Sequence, residues 1–192
     1  MRAAAILFLL LISATPTYGE QAPAAPPAPP APFDRGAVSV EFALGGLVEA
    51  WNFNGSREWL LDATGSIWWA FKDSVAIGAE FRHTRVYQAT PNAFLQGFSP
   101  LFRWRYLDRG AWQMFMEVGP GISWSDIETP PVGTKFNYLF QGGTGVLWRA
   151  GRNIHALTAF RFLHISNNGR EGKERNPDIE AMGGFGGITL TF

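Results

Sequence analysis

An eight-stranded antiparallel transmembrane β-barrel, an all-β fold, is what this sequence predicts, on three observations. Period-2 alternation of apolar and polar residues recurs from residue 36 to the C-terminus. No stretch in that region offers the roughly 20 consecutive apolar residues that a membrane helix needs. Apolar side chains and charges fall on opposite faces of the same strands, and the charges balance in sign.

The N-terminus reads as a leader and a spacer. Arg2 precedes an apolar run from Ala3 to Ile12, too short to span a bilayer. Small residues at Thr17 and Gly19 follow, so residues 1–19 are expected to be a secretory signal peptide cut near Gly19. Residues 20–35 form an Ala/Pro-rich arm, expected to be extended at roughly 3.1 Å per residue. The barrel is assigned to residues 36–192.

Strands are expected at 37–50, 58–71, 75–88, 93–107, 111–125, 135–149, 153–166 and 179–192. In the fourth, Phe98, Phe102, Trp104 and Tyr106 oppose Ser99, Arg103 and Arg105. In the fifth, Trp112, Met114, Met116, Val118, Ile122 and Trp124 oppose Gln113 and Glu117. The sixth sets Phe136, Tyr138, Phe140, Val146 and Trp148 against Asn137, Gln141 and Arg149. Aromatics gather near strand ends, where two membrane–water interfaces would fall. Tight turns are expected at 72–74, 108–110 and 151–153, and longer polar loops at 52–57, 89–92, 126–134 and 167–178. Short turns at one end and long loops at the other fit an outer-membrane barrel. Phe192, on the lipid-facing parity with Ile188 and Leu190, fits the terminal signal of such barrels.

Charge decides which face is inside. The positions opposite the apolar rows carry Glu41, Glu49, Asp62, Glu80 and Glu117 against Arg82, Arg103, Arg105, Arg149 and Arg161. Five acids against five bases predict a packed, internally paired lumen with no channel. The absence of cysteine excludes disulfides, thiolate metal sites and a Cys nucleophile. Zero net charge without a basic patch argues against a nucleic-acid partner. No cofactor and no metal site is expected.

Three residues break the lipid-facing pattern. On the seventh strand the outward row Ile154, Ala156, Thr158, Phe160 and Phe162 continues to His164 and Ser166. On the eighth, the row Phe192, Leu190, Ile188 and Met182 extends back to Glu180. Residues two apart on a strand lie about 6.6 Å apart at Cα, so an imidazole reaches a hydroxyl, and a carboxylate on the neighbouring strand reaches the other ring nitrogen. Nucleophile, base and orienting acid are the parts of ester hydrolysis. Polar residues at a membrane rim are the competing explanation.

The local string His164-Ile165-Ser166-Asn167-Asn168-Gly169, then Asn176-Pro177-Asp178-Ile179-Glu180 and a Gly-rich last strand, resembles the lipid A 3-O-deacylase (PagL) family. The resemblance implies an eight-stranded outer-membrane esterase that removes the 3-linked hydroxyacyl chain of lipid A. Ser166 would be the nucleophile, His164 the general base and Glu180 the residue that orients it. Backbone N–H groups around Gly169 and Asn176 would form the oxyanion hole, though ordinary turn chemistry also explains those two. The same resemblance allows a homodimer and places the site at the outer leaflet. Two departures stand out: Asp178 occupies a place where the family usually has Gly, and residues 170–175 are about two longer than its pattern. His83, Arg85, Lys173 and Arg175 are further candidates for lipid phosphates, and His155 reads as structural. A non-catalytic small barrel and a phospholipid acyl hydrolase are the alternative functions.

Overall fold

The computed structural model describes residues 30–51, 57–89 and 91–192. The expected signal peptide and most of the arm therefore lie outside the described residues, as does part of the first long loop. Eight strands follow in order: β1 (Val38–Glu49), β2 (Trp59–Lys72), β3 (Val75–Tyr87), β4 (Ala93–Asp108), β5 (Trp112–Thr129), β6 (Thr134–Arg149), β7 (Ile154–Ser166) and β8 (Ile179–Thr191). Each pairs antiparallel with the next, and β8 pairs with β1 to close the barrel. Closure removes every sheet edge, which a hydrocarbon environment demands of strands.

The outside is apolar and the inside is polar at mid-height, the reverse of a soluble barrel. Phe42, Leu44, Ile67, Phe81, Met116 and Phe160 are exposed on the wall. Aromatic rings pair near both ends of it. Trp59 stacks on Tyr87 with centroids 3.7 Å apart at the long-loop end, and Trp112 meets Trp148 at 5.9 Å at the end that carries the barrel's termini.

Inside, all eight strands meet in one ring of hydrogen bonds and ion pairs. Arg103 of β4 bonds Glu41 of β1 at 2.9 Å and Glu117 of β5 at 2.6 Å. Arg161 of β7 reaches Glu117 at 2.6 Å and Glu80 of β3 at 2.7 Å. Arg82 of β3 bonds Asp62 of β2 at 2.8 Å and Gln141 of β6 at 2.6 Å, and Thr189 of β8 donates to Glu41 at 2.9 Å. The Arg103 guanidinium also lies 3.7 Å from the Trp68 ring centroid and 4.1 Å from that of Phe115. Apolar side chains close the ring off on both sides: Leu60, Val86, Leu95 and Ile165 toward the long loops, Ala70, Phe115, Leu147 and Leu157 toward the termini.

Membership of this ring differs from the expected set of ten. Glu49, Arg105 and Arg149 share the lumen parity but sit near strand ends. Glu49 accepts the Glu58 N–H at 3.2 Å, and Arg105 pairs with Asp108 at 2.6 Å. Phe33, which falls in the expected arm, is buried at 1% exposure. It packs 6.3 Å from Phe115 and beneath Arg105, while its carbonyl accepts the Ser74 N–H. The terminal end of the lumen is thus stoppered by a residue N-terminal to β1. The loop expected at 126–134 contracts to residues 130–133, because β5 runs on to Thr129 and Asn137 Nδ2 ties the carbonyls of Thr129 and Thr134 together.

Removing one member of the ring leaves its partners charged and dry. Arg103→Ala is expected to cost about 3–5 kcal/mol through the stranded Glu41 and Glu117 carboxylates. Denaturant unfolding of the barrel in lipid vesicles, parent against variant, checks this.

Candidate active site

His164 and Ser166 lie outside the barrel because Ile165 between them is fully buried in the lumen, and alternation does the rest. Strand register sets their neighbours. His164 stands on one rung with Phe140 of β6 and Glu180 of β8, and Ser166 pairs with Tyr138. His164 Nδ1 is 3.5 Å from Glu180 Oε1, with the two side chains 31% and 24% exposed. The imidazole is thus partly covered and has a carboxylate at its Nδ1 side, while it remains open to the outer wall.

Ser166 closes β7 and is 8% exposed. Its Oγ accepts the Asn168 N–H at 3.1 Å. Among the described residues no hydrogen bond joins Ser166 to His164. The hydroxyl hydrogen is therefore uncommitted while its oxygen is already oriented.

The turn after Ser166 is fixed by one buried side chain. Asn167 Nδ2 donates to Thr134 Oγ1 at 3.2 Å and to the Arg175 carbonyl, while its Oδ1 accepts the Gly169 N–H at 2.8 Å. Its own N–H donates to Asn176 Oδ1 at 2.9 Å. Asn168 and Gly169 turn the chain with φ of 56° and 70°, values that Asn and Gly tolerate. Arg175 then anchors the far side of the loop on Glu128 at 2.7 Å, the Gly133 carbonyl at 3.0 Å and Glu171.

The two N–H groups expected in the oxyanion hole have acceptors already. Gly169 N–H serves Asn167, and Asn176 N–H serves the Lys173 carbonyl at 3.2 Å. The donor that touches the Ser166 hydroxyl is that of Asn168, which sequence reasoning did not single out. Nor did it single out Asn167, whose importance lies in contacts with residues 134 and 175–176, remote in the chain.

Asp178 is the other unexpected member. Ligand atoms of His164, Asp178 and Glu180 lie within 4.8 Å of one another, a spacing that could hold a cation. The sequence pattern carried no sign of this grouping, because the loop that brings Asp178 close to His164 has no regular period. His83, by contrast, is spent on Gln96, and Arg85 stacks 5.0 Å from Tyr87 and 5.6 Å from Phe94. His155 is buried at the other end of the barrel.

A family model described as Lipid A 3-O-deacylase (PagL) matches residues 45–187 of this chain. No curated protein matches it. Among solved structures it is similar to the outer membrane enzyme PagL, at 18% identity over 79% of this chain and 98% of that one, with a TM-score of 0.54. Neisserial surface protein A (NspA) superposes with a TM-score of 0.58 at 11% identity, over 81% of this chain and 96% of that one. The N-terminal β-barrel domain of Pseudomonas aeruginosa OprF gives 0.55 at 17% identity, over 82% and 98%. These structural likenesses establish the outer-membrane barrel fold. The family match, which spans the barrel from β1 to β8, establishes more: the chain belongs to the lipid A 3-O-deacylase (PagL) family.

Proposed function

We propose that this protein hydrolyses the 3-O-linked hydroxyacyl ester of lipid A from the outer leaflet, with Ser166 as nucleophile, His164 as general base and Glu180 as its orienting acid. The observation that carries the reading is the His164–Glu180 pair at 3.5 Å on the outward face, with Ser166 at the next outward position of the same strand. Glu180 holds the Nδ1 side of the ring, which leaves Nε2 to take the Ser166 proton. Ser166 Oγ, oriented by the Asn168 N–H, attacks the acyl carbonyl. Collapse of the tetrahedral adduct breaks the C–O bond to the sugar, and His164 returns the proton to the departing 3-hydroxyl. Water, deprotonated by the same imidazole, then frees the hydroxy fatty acid and restores Ser166. Donors to the developing oxyanion are each worth roughly 3–4 kcal/mol. Gly169 and Asn176 N–H would have to exchange their present acceptors for it as the substrate seats.

A trough on the wall supports this reading. Below Glu180 and Met182, the outward positions of β8 are Gly184 and Gly186, where a Cβ would meet nothing within 4 Å. Phe160 stands beside Gly184 on β7 and Leu44 beside Gly186 on β1, so an acyl chain lying on the glycines has apolar walls. The ester of a chain lying there would sit at the level of His164 and Ser166, near the headgroups.

The His164, Asp178 and Glu180 grouping favours one second reading, in which a bound cation activates water directly. The two differ in what removes activity.

Mass spectrometry of lipid A from cells expressing the parent is expected to show loss of one 3-linked hydroxyacyl group. Ser166→Ala should leave lipid A intact, and a chelator should leave the parent active. Retained activity in Ser166→Ala together with loss on chelation would select the cation mechanism. Gly184→Leu has room on the bare protein, so its heat stability should match the parent. Its deacylation rate in the same assay should nevertheless fall about tenfold, since the lost contacts of even a few methylenes are worth about that much.

A further inference from the structure

We propose that Arg170 is a specificity-determining residue that binds a phosphate on the same sugar that carries the scissile ester, a reading that rests on the deacylase function proposed above. The cations of the last loop divide into two kinds. Arg175 is a clamp, with Glu128, Glu171 and the Gly133 carbonyl all engaged. Arg170 has no carboxylate partner among the described residues. The acid next to it in sequence, Glu171, turns away to Arg175. Its guanidinium instead lies 5.6 Å from the Phe136 ring centroid, with one N–H 3.5 Å from the Tyr138 hydroxyl.

That position adjoins the strand partner of the nucleophile. Tyr138 is the direct cross-strand partner of Ser166, and side chains paired in this way have Cβ atoms about 5 Å apart. The guanidinium borders a cleft of about 340 Å³ that Trp124, Phe136 and Asn167 also line, at the rim where headgroups lie. An exposed arginine within cation–π reach of an aromatic ring and with most of its N–H groups unspent is suited to bidentate contact with a phosphate. In lipid A the 3-linked ester and the reducing-end phosphate sit on one glucosamine ring, two carbons apart. With the ester carbonyl at Ser166 Oγ, that phosphate falls within a sugar's width of the nucleophile, and the cation on this side of Ser166 is Arg170, held on Tyr138, the strand partner of Ser166. The ring of Phe136 and the hydroxyl of Tyr138 thus position a cation whose counterion arrives with the substrate.

The test uses the full chain in detergent micelles, with lipid A bearing both phosphates and with monophosphoryl lipid A that lacks the reducing-end phosphate. Binding is read on the Ser166→Ala chain and hydrolysis on the parent. At least a tenfold preference for the bis-phosphorylated lipid is expected in both. Arg170→Ala should erase it, chiefly through KM with kcat little changed, and Arg170→Lys should keep part of it. Lys173→Ala, which removes a cation from the same loop, should leave the preference intact. Heat-modified gel mobility confirms that each variant is folded. Equal affinity for the two lipids, or an equal loss on both in Arg170→Ala, would overturn the proposal. So would a preference that follows added phosphatidylglycerol rather than the phosphate of the substrate. Preferential binding by Ser166→Ala without hydrolysis of either lipid by the parent would instead sink the deacylase reading and leave the phosphate site standing.

Discussion

Four carboxylates and three guanidiniums fill the middle of this barrel, and every strand supplies at least one member of the ring they form. Burying seven ionised groups is tolerable only because each is paired and apolar layers on either side keep water from competing. The same ring decides where chemistry can happen. Arg82, Arg103 and Arg161 occupy the axis among the described residues, so groups that meet a substrate stand on the outer wall or on the loops. A hydrolase of membrane lipids needs that arrangement, since its substrate never leaves the surface against which the barrel is dissolved.

Register carries the consequence from lumen to wall. Because the side-chain period is two, the rung that buries Leu163 and Ala181 inside and the rung that presents His164 and Glu180 outside are set by the same pairing. A one-residue slip between β7 and β8 would part the imidazole from its acid, and it would also pull Arg161 out of the ionic ring. The position of His164 is in this sense held by the charges on the other side of the wall. Ser166 sits one step beyond regular pairing with β8, and its orientation is taken over by the loop: Asn167 points inward and bonds three separate segments, which leaves the Asn168 N–H aimed at the hydroxyl.

Much of this was legible in the sequence. The strands were, because alternation is a local signal and a closed barrel leaves little freedom in pairing. The outward parity of His164, Ser166 and Glu180 was legible for the same reason. What escaped depended on contacts between residues far apart in the chain. Gln141 and Thr189 complete the ring, yet neutral polar residues at lumen positions look the same as those at a rim. Phe33 looks like the tail of a proline tract until the barrel closes and offers it Phe115. Glu49 and Arg105 have the right parity but the wrong height, and parity alone does not report height. Asp178 and Asn167 belong to a loop whose path follows no period, so only the folded chain reveals what each one touches.

The glycines of β8 show how two demands are met by one residue type. At Gly183 and Gly187, on the lumen parity, a Cβ would lie 1.9 Å from the Gly46 carbonyl oxygen and 2.1 Å from that of Phe42. Those positions are glycine because the β1–β8 seam brings backbone against backbone, and the barrel would not close over a side chain there. At Gly184 and Gly186 the outward side is open, so closure does not explain them. A bare stretch of wall also gives up the apolar area that most outward positions in the span use to hold the barrel in the membrane. Such a loss is sensible only where something else covers the gap, and the gap begins two outward positions below the His164–Glu180 rung, just past Met182. The inward glycines make the seam, and the outward ones leave open wall where the proposed acyl chain would lie.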